Sequence, residues 1–132
     1  MKKQILIVED DPILRDLTRR QVSKLGFECI VVKTGEEAVD QTAPEIGLIF
    51  MDIGLPGIDG VHATMLIRER ELSERKQRIP IVALTGHADK QRVMSVGMDD
   101  FLQKPAMMAD IKTMIEKWLP AESSLDMQHR RG

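Results

Sequence analysis

Residues 5–12 read Ile5-Leu6-Ile7-Val8-Glu9-Asp10-Asp11-Pro12, and this stretch sets the fold. Its apolar run shows no polar alternation and is rich in β-branched residues, which predicts a strand covered on both faces. Asp11 followed by Pro12 predicts a helix start: an aspartate N-cap, then a proline in the first turn where its missing N–H costs nothing. The acidic pair Glu9-Asp10 therefore stands where a buried strand gives way to a helix.

The same alternation repeats along the chain. Ile13, Leu14, Leu17, Val22 and Leu25 fall within about half a helical wheel, and Gly26 supplies a stop. Cys29–Val32 reads as a second strand. Thr34 with Glu37 forms a capping box for a short helix through Ala38 and Val39, ended before Pro44. Leu48–Met51 is a third strand, followed by the turn-rich Gly54-Leu55-Pro56-Gly57-Ile58-Asp59-Gly60. A helix is expected from Val61 to about Lys76, with Val61, Met65 and Leu72 on one face. Ile81–Leu84 is a fourth strand. Asp89 is expected to cap a short helix that stops at Gly97, and Phe101–Gln103 is a brief fifth strand at a sheet edge. Met107, Ile111, Met114, Ile115 and Trp118 form the amphipathic stripe of a last helix. Residues 120–132 are polar and aperiodic, and the expected division is a domain over 1–119 and a flexible C-terminal tail or linker over 120–132.

Five strands alternating with five helices predict a doubly wound α/β fold: a five-stranded parallel sheet with helices on both faces. In such sheets ligands sit beyond the carboxyl ends of the strands. Composition narrows the function. A chain of 132 residues has room for one domain. Nineteen Lys and Arg against 21 Asp and Glu give a formal charge of −2, which argues against direct nucleic-acid binding. The apolar runs are too short for a membrane span or a secretory signal, and one cysteine excludes an internal disulfide. A cytoplasmic location is expected.

Chemistry is expected at the strand exits. The first strand exits into Glu9-Asp10-Asp11, the third into Asp52, the fourth into Thr85 and the fifth into Lys104-Pro105. If the first and third strands are neighbours, several carboxylates crowd together, and a cation must neutralise them or one must stay protonated. Oxygen ligands without His or Cys favour Mg²⁺. Lys104 could neutralise a transferred phosphoryl group, and the Thr85 hydroxyl could hydrogen-bond one of its oxygens. Asp52, alone at the end of the central strand, is the expected nucleophile, because carboxylates form aspartyl-phosphates.

These motifs give the chain its resemblance to two-component response-regulator receiver domains: Ile7 to Asp11, Met51 to Gly60, Leu84-Thr85-Gly86 and Lys104-Pro105, over about Lys3 to Leu119. Gly97-Met98-Asp99-Asp100-Phe101 is similar to receivers attached to hybrid sensor kinases. The resemblance implies a flavodoxin-like strand order 2-1-3-4-5. It implies that Glu9, Asp10, Asp52 and the Gly54 carbonyl hold Mg²⁺, and that Asp52 takes a phosphoryl group from a histidine kinase or histidine-phosphotransfer protein. Lys104 and Thr85 would contact the phosphoryl group, while Thr85 and Phe101 would form the switch. Gly54 and His87 occupy the positions that influence hydrolysis, and Asp11 has a supporting role. A weak homodimer through the last two helices is a further expectation. Such a domain catalyses only its own phosphorylation and dephosphorylation, switching a protein-interaction surface. It is either free-standing or part of a hybrid kinase.

Other readings are weaker. An aspartate-dependent phosphatase usually carries a second acid two residues after the nucleophile, where this chain has Gly54. A flavin or nucleotide binder would need a phosphate-cradling loop after the first strand, where this chain has carboxylates. A phosphorylation-independent adaptor would leave the whole constellation without a role. Cys29 is expected to pack as a small hydrophobe, His62 and His129 to sit on the surface, and Met107 and Met114 to belong to a core stripe. Arg15, Arg19 and Arg20 are either the solvated side of the first helix or part of a donor interface. Arg68, Arg70, Arg75, Lys76 and Arg78, mixed with Glu69, Glu71 and Glu74, suggest a solvated helix.

Overall fold

The computed structural model describes residues 3–86 and 90–119. The apolar run of the first motif lies in strand β1 (Gln4–Val8), with Ile5 through Val8 fully buried. The chain continues through α1 (Pro12–Lys24), β2 (Cys29–Val32), α2 (Gly35–Asp40), β3 (Ile46–Asp52), α3 (Gly60–Ser73), β4 (Ile81–Thr85), α4 (Lys90–Ser95), β5 (Asp100–Gln103) and α5 (Met108–Trp118). The five strands are parallel in the order β2-β1-β3-β4-β5, as expected, and β5 is an edge.

Both faces of the sheet are covered because alternate residues of each strand feed different cores. Leu6, Val8, Ile49, Met51, Ile81 and Ala83 pack with Ala38, Ala63, Ile67 and Val93 from α2, α3 and α4. Ile5, Ile7, Leu48, Phe50, Val82 and Leu84 pack with Val22, Ile111 and Ile115 from α1 and α5. This two-sided burial is why the strands read as unbroken apolar runs.

Local chemistry fixes the helix starts. The Asp11 carboxylate accepts from Ile13 N at 2.8 Å and Leu14 N at 3.2 Å. Thr34 and Glu37 form a reciprocal capping box, and Asp59 accepts from His62 N at 2.8 Å. Gly26, just past α1, has φ +93° and takes the left-handed conformation that ends the helix.

Several expected faces differ. Ile13 is 79% exposed, and Leu17 is also exposed, because the side of α1 facing the sheet carries Thr18 and Val22. On α3 the buried positions are Gly60, Ala63, Thr64, Ile67 and Glu71, so Met65 and Leu72 face outward. α3 also ends at Ser73 rather than Lys76, and Arg75 turns to φ 53°. Met107 is the exposed residue preceding α5, leaving Ile111 and Ile115 to anchor that helix with Met114 and Trp118 half-buried beside them. Cys29 packs half-buried against the α1/α5 core, where burial raises its thiol above the ordinary range and disfavours the reactive thiolate. His62 is exposed as expected. His87, the Asp89 cap, His129 and the 120–132 tail lie outside the described residues. Among the described residues, no helix is long and apolar enough to cross a membrane.

Candidate functional site

Register carries the chemistry to one rim. Val8 pairs with Met51, so Glu9 leaves β1 beside Asp52 at the end of β3. Asp52 pairs with Leu84, which places Thr85 one residue further along the neighbouring strand. Lys104 N donates to Thr85 O at 2.8 Å, holding the β5 exit against the β4 exit. Residues from four parts of the sequence thus meet because all the strands run in the same direction.

Lys104 is the centre of the arrangement. Its ammonium lies 2.9 Å from Glu9 Oε1 and 2.9 Å from Asp52 Oδ1. Glu9 is 1% exposed and Asp52 3%, so these charges meet in a low-dielectric setting. Asp52 Oδ1 also accepts from Gly54 N at 3.1 Å, and Glu9 Oε2 accepts from Asp11 N at 3.2 Å. Asp10 is exposed, and carboxylate oxygens of Glu9, Asp10 and Asp52 all lie within 4.8 Å of one another. Thr85 is buried at the rim, and Phe101 is half-buried against the α2/α3/α4 core. Asp11 spends its carboxylate capping α1.

The electrostatics show what the site suits. Burial pushes the Glu9 carboxyl up to about 7; contact with Asp52 adds to the rise and Lys104 opposes it. Burial alone would lower the Lys104 ammonium, but its bonds to Glu9 and Asp52 outweigh that and hold it above its ordinary range. Three carboxylates gathered around one ammonium leave an excess of negative charge. An all-oxygen donor set with that excess fits a hard divalent cation. A carboxyl raised in the folded state stabilises the fold fully below its unfolded value and loses that contribution as pH rises through the folded one. In the presence of a chelator, the protein should therefore lose stability between about pH 5 and about pH 8. Urea denaturation across that range checks this, and a midpoint that does not fall with rising pH would contradict it.

The profile of the response regulator receiver domain family matches residues 5–116. The chain belongs to this family. It is 35% identical over 128 residues to hybrid signal transduction histidine kinase F of Dictyostelium discoideum, covering 93% of this chain and 12% of that protein. The receiver domain of sensor histidine kinase PA1611 from Pseudomonas aeruginosa, crystallised with magnesium in its active-site cleft, superposes with a TM-score of 0.80 at 32% identity. That match covers 91% of this chain and 99% of that one. The receiver domain of Saccharomyces cerevisiae Ssk1, in complex with the histidine phosphotransfer protein Ypd1, gives a TM-score of 0.83 at 31% identity, covering 89% and 88% of the two chains. A receiver is a phosphoacceptor module of two-component and phosphorelay signalling, and this chain is one.

Two side-chain contacts of α1 near this rim were not read from the sequence, which offered Arg15 only as a solvated or donor-facing residue. Arg15 donates to the carbonyls of Glu9 at 3.1 Å and Asp10 at 3.3 Å, pinning the acidic turn from the next helical turn. Gln21 donates to Ala106 O at 2.9 Å, across 85 residues of sequence. The grip of Arg15 on the turn could have been suspected from its place in the first turn of a proline-started helix. Nothing near Gln21 in the sequence signals its partner.

Proposed function

We propose that Asp52 is the phosphoacceptor, with Glu9, Asp10 and the Gly54 carbonyl joining Asp52 in holding Mg²⁺. The observation that carries this reading is the single ammonium of Lys104 held between Glu9 and Asp52, beside a third carboxylate. When bound, Mg²⁺ would neutralise charge on the phosphoryl oxygens. The chain's own residues do the rest. Asp52 attacks phosphorus, the P–N bond of a phosphohistidine breaks, an O–P bond to Asp52 forms, and the departing imidazole nitrogen takes up a proton. Lys104 moves from bridging two carboxylates to meeting the phosphoryl oxygens, where a fixed cation stabilises the developing charge. Thr85 follows the phosphoryl group and Phe101 repacks behind it, switching the neighbouring surface.

The donor would be a histidine kinase or histidine-phosphotransfer protein. Exposed Ile13 and Leu17 on α1, with exposed Met107 ahead of α5, give it an apolar footing beside the acidic rim. Gly54 presents no side chain, and a Cβ added there would meet nothing within 4 Å, so the approach to Asp52 stays open on that side. The chain would turn over no external metabolite. Incubating the protein with Mg²⁺ and labelled acetyl phosphate or a phosphohistidine donor tests the reading. Label should enter the wild type, need the divalent ion, and be absent from Asp52→Asn. Equal labelling of Asp52→Asn would overturn it.

A further inference from the structure

Lys104 follows β5, an edge strand paired only with β4. Its ammonium must nevertheless reach across the rim to Glu9 on β1 and Asp52 on β3. Where the tip arrives depends on how the Lys104–Met107 segment is held. One hold is Lys104 N to Thr85 O at 2.8 Å. Met107 O accepts from Asp110 N and Ile111 N at 3.0 Å, and a further hold comes from α1, where the Gln21 amide donates to Ala106 O at 2.9 Å, two residues past the lysine.

Gln21 is an unusual choice for that position. It precedes Val22, which is fully buried in the core that also contains Ala106 and Ile111. The Gln21 Oε1 atom is itself buried and has no hydrogen-bond partner among the described residues. A residue kept only for packing would be Leu or Met, because a half-satisfied buried amide costs stability. The amide is explained if its donating half has work that an apolar side chain cannot do. At its other end, α1 holds the acidic turn through Arg15 and the carbonyls of Glu9 and Asp10. One helix thus grips both the loop bearing the carboxylates and the loop bearing the ammonium that must meet them.

We propose that Gln21 is a positioning residue for the Asp52 reaction, acting through Lys104 by fixing the Ala106 carbonyl and with it the loop that aims the ammonium. This rests on the reading of Asp52 as phosphoacceptor. Gln21 does not touch the phosphoryl group, so its effect should exist only while Lys104 is there to be aimed.

The test is a double-mutant cycle on the full chain, following Mg²⁺-dependent labelling by acetyl phosphate. Gln21→Met keeps the length and removes the donor, and Gln21→Ala removes it without added bulk. Each should slow labelling roughly tenfold, within the hundredfold that an ångström-scale misplacement can cost. Mg²⁺ affinity, read by titration calorimetry without any phosphodonor, should stay unchanged because the carboxylates are held from the other end of α1. In a Lys104→Ala background, the same Gln21 substitutions should cause no further slowing. Labelling of both Gln21 variants at the wild-type rate, or the same fold-loss with and without Lys104, would overturn the proposal alone. A wild-type chain that takes no label would overturn the phosphoacceptor reading, and the proposal with it.

Discussion

Gly60→Ala should unfold or displace the loop that follows Asp52. A methyl group at Gly60 would overlap the Asp52 carbonyl oxygen and lie 2.9 Å from both Asp52 C and Ile53 Cα. Each of these is backbone, so no flexible side chain can move aside. The site is also closed from the other direction, since Gly60 N donates to Ile53 O at 2.9 Å and ties the first turn of α3 to the exit of β3. Relief requires prising α3 from the sheet, which should cost about 3 kcal/mol, the upper end for overpacking a buried site. The urea midpoint should fall sharply, and the remaining folded protein should accept phosphoryl groups poorly because Asp52 has shifted. Gly54→Ala is the internal control, having open space around the added carbon. It should leave the midpoint unchanged, and equal midpoints for the two variants would refute the argument.

Arg68→Ala should be the most damaging loss of a charge. The Arg68 side chain is only 12% exposed and donates to Glu71, to Asp99 and to the carbonyls of Gly97 and Ile79, at 2.8 to 2.9 Å. It joins α3 to the start of β4 and to the turn before β5. Its removal leaves the Glu71 and Asp99 carboxylates, 8% and 12% exposed, without their main cation. Arg78 still reaches Asp99 at 2.7 Å, and backbone N–H groups of Ile79 and Ile81 still donate to the pair, but these compensate only in part. Breaking such a buried pair typically costs about 3–5 kcal/mol, because the partner charge stays desolvated. Arg19→Ala removes an exposed pair with Asp16, with side chains 45% and 44% exposed, and should cost under about 1 kcal/mol. Comparing the two by urea denaturation in high salt sharpens the contrast, since salt screens only the exposed pair. A similar small loss for both would show that Arg68 is not a buried tie.

The same arginine marks the limit of reading the sequence directly. From the chain, Arg68 and Glu71 look like Arg70 and Glu74: charges a few residues apart on one helix. In the fold, the first two face β4 and the turn before β5, while the second two pair on the surface, each about 43% exposed. Glu71, expected among the solvated charges of this helix, is buried, and the adjacent Leu72, expected on its apolar face, is 82% exposed. The reversal arises because Glu71 also accepts from the otherwise unsatisfied Ile79 N at 2.8 Å. That backbone donor, two residues before β4, and the Arg68 guanidinium together satisfy the carboxylate that faces inward.

The elements, their order and the residues at the strand exits were legible in the sequence because each depends on neighbours a few positions away. Two-sided burial writes itself as apolar runs, caps as Asp11 and Thr34–Glu37, and a chemical rim as polar residues where those runs end. Tertiary structure alone decided which surfaces stay open and which charges are enclosed. It also brought Gln21 to Ala106 and set Lys104 at equal distance from Glu9 and Asp52. Those contacts depend on the crossover of the chain and the register of parallel strands, which juxtapose groups that no local pattern links.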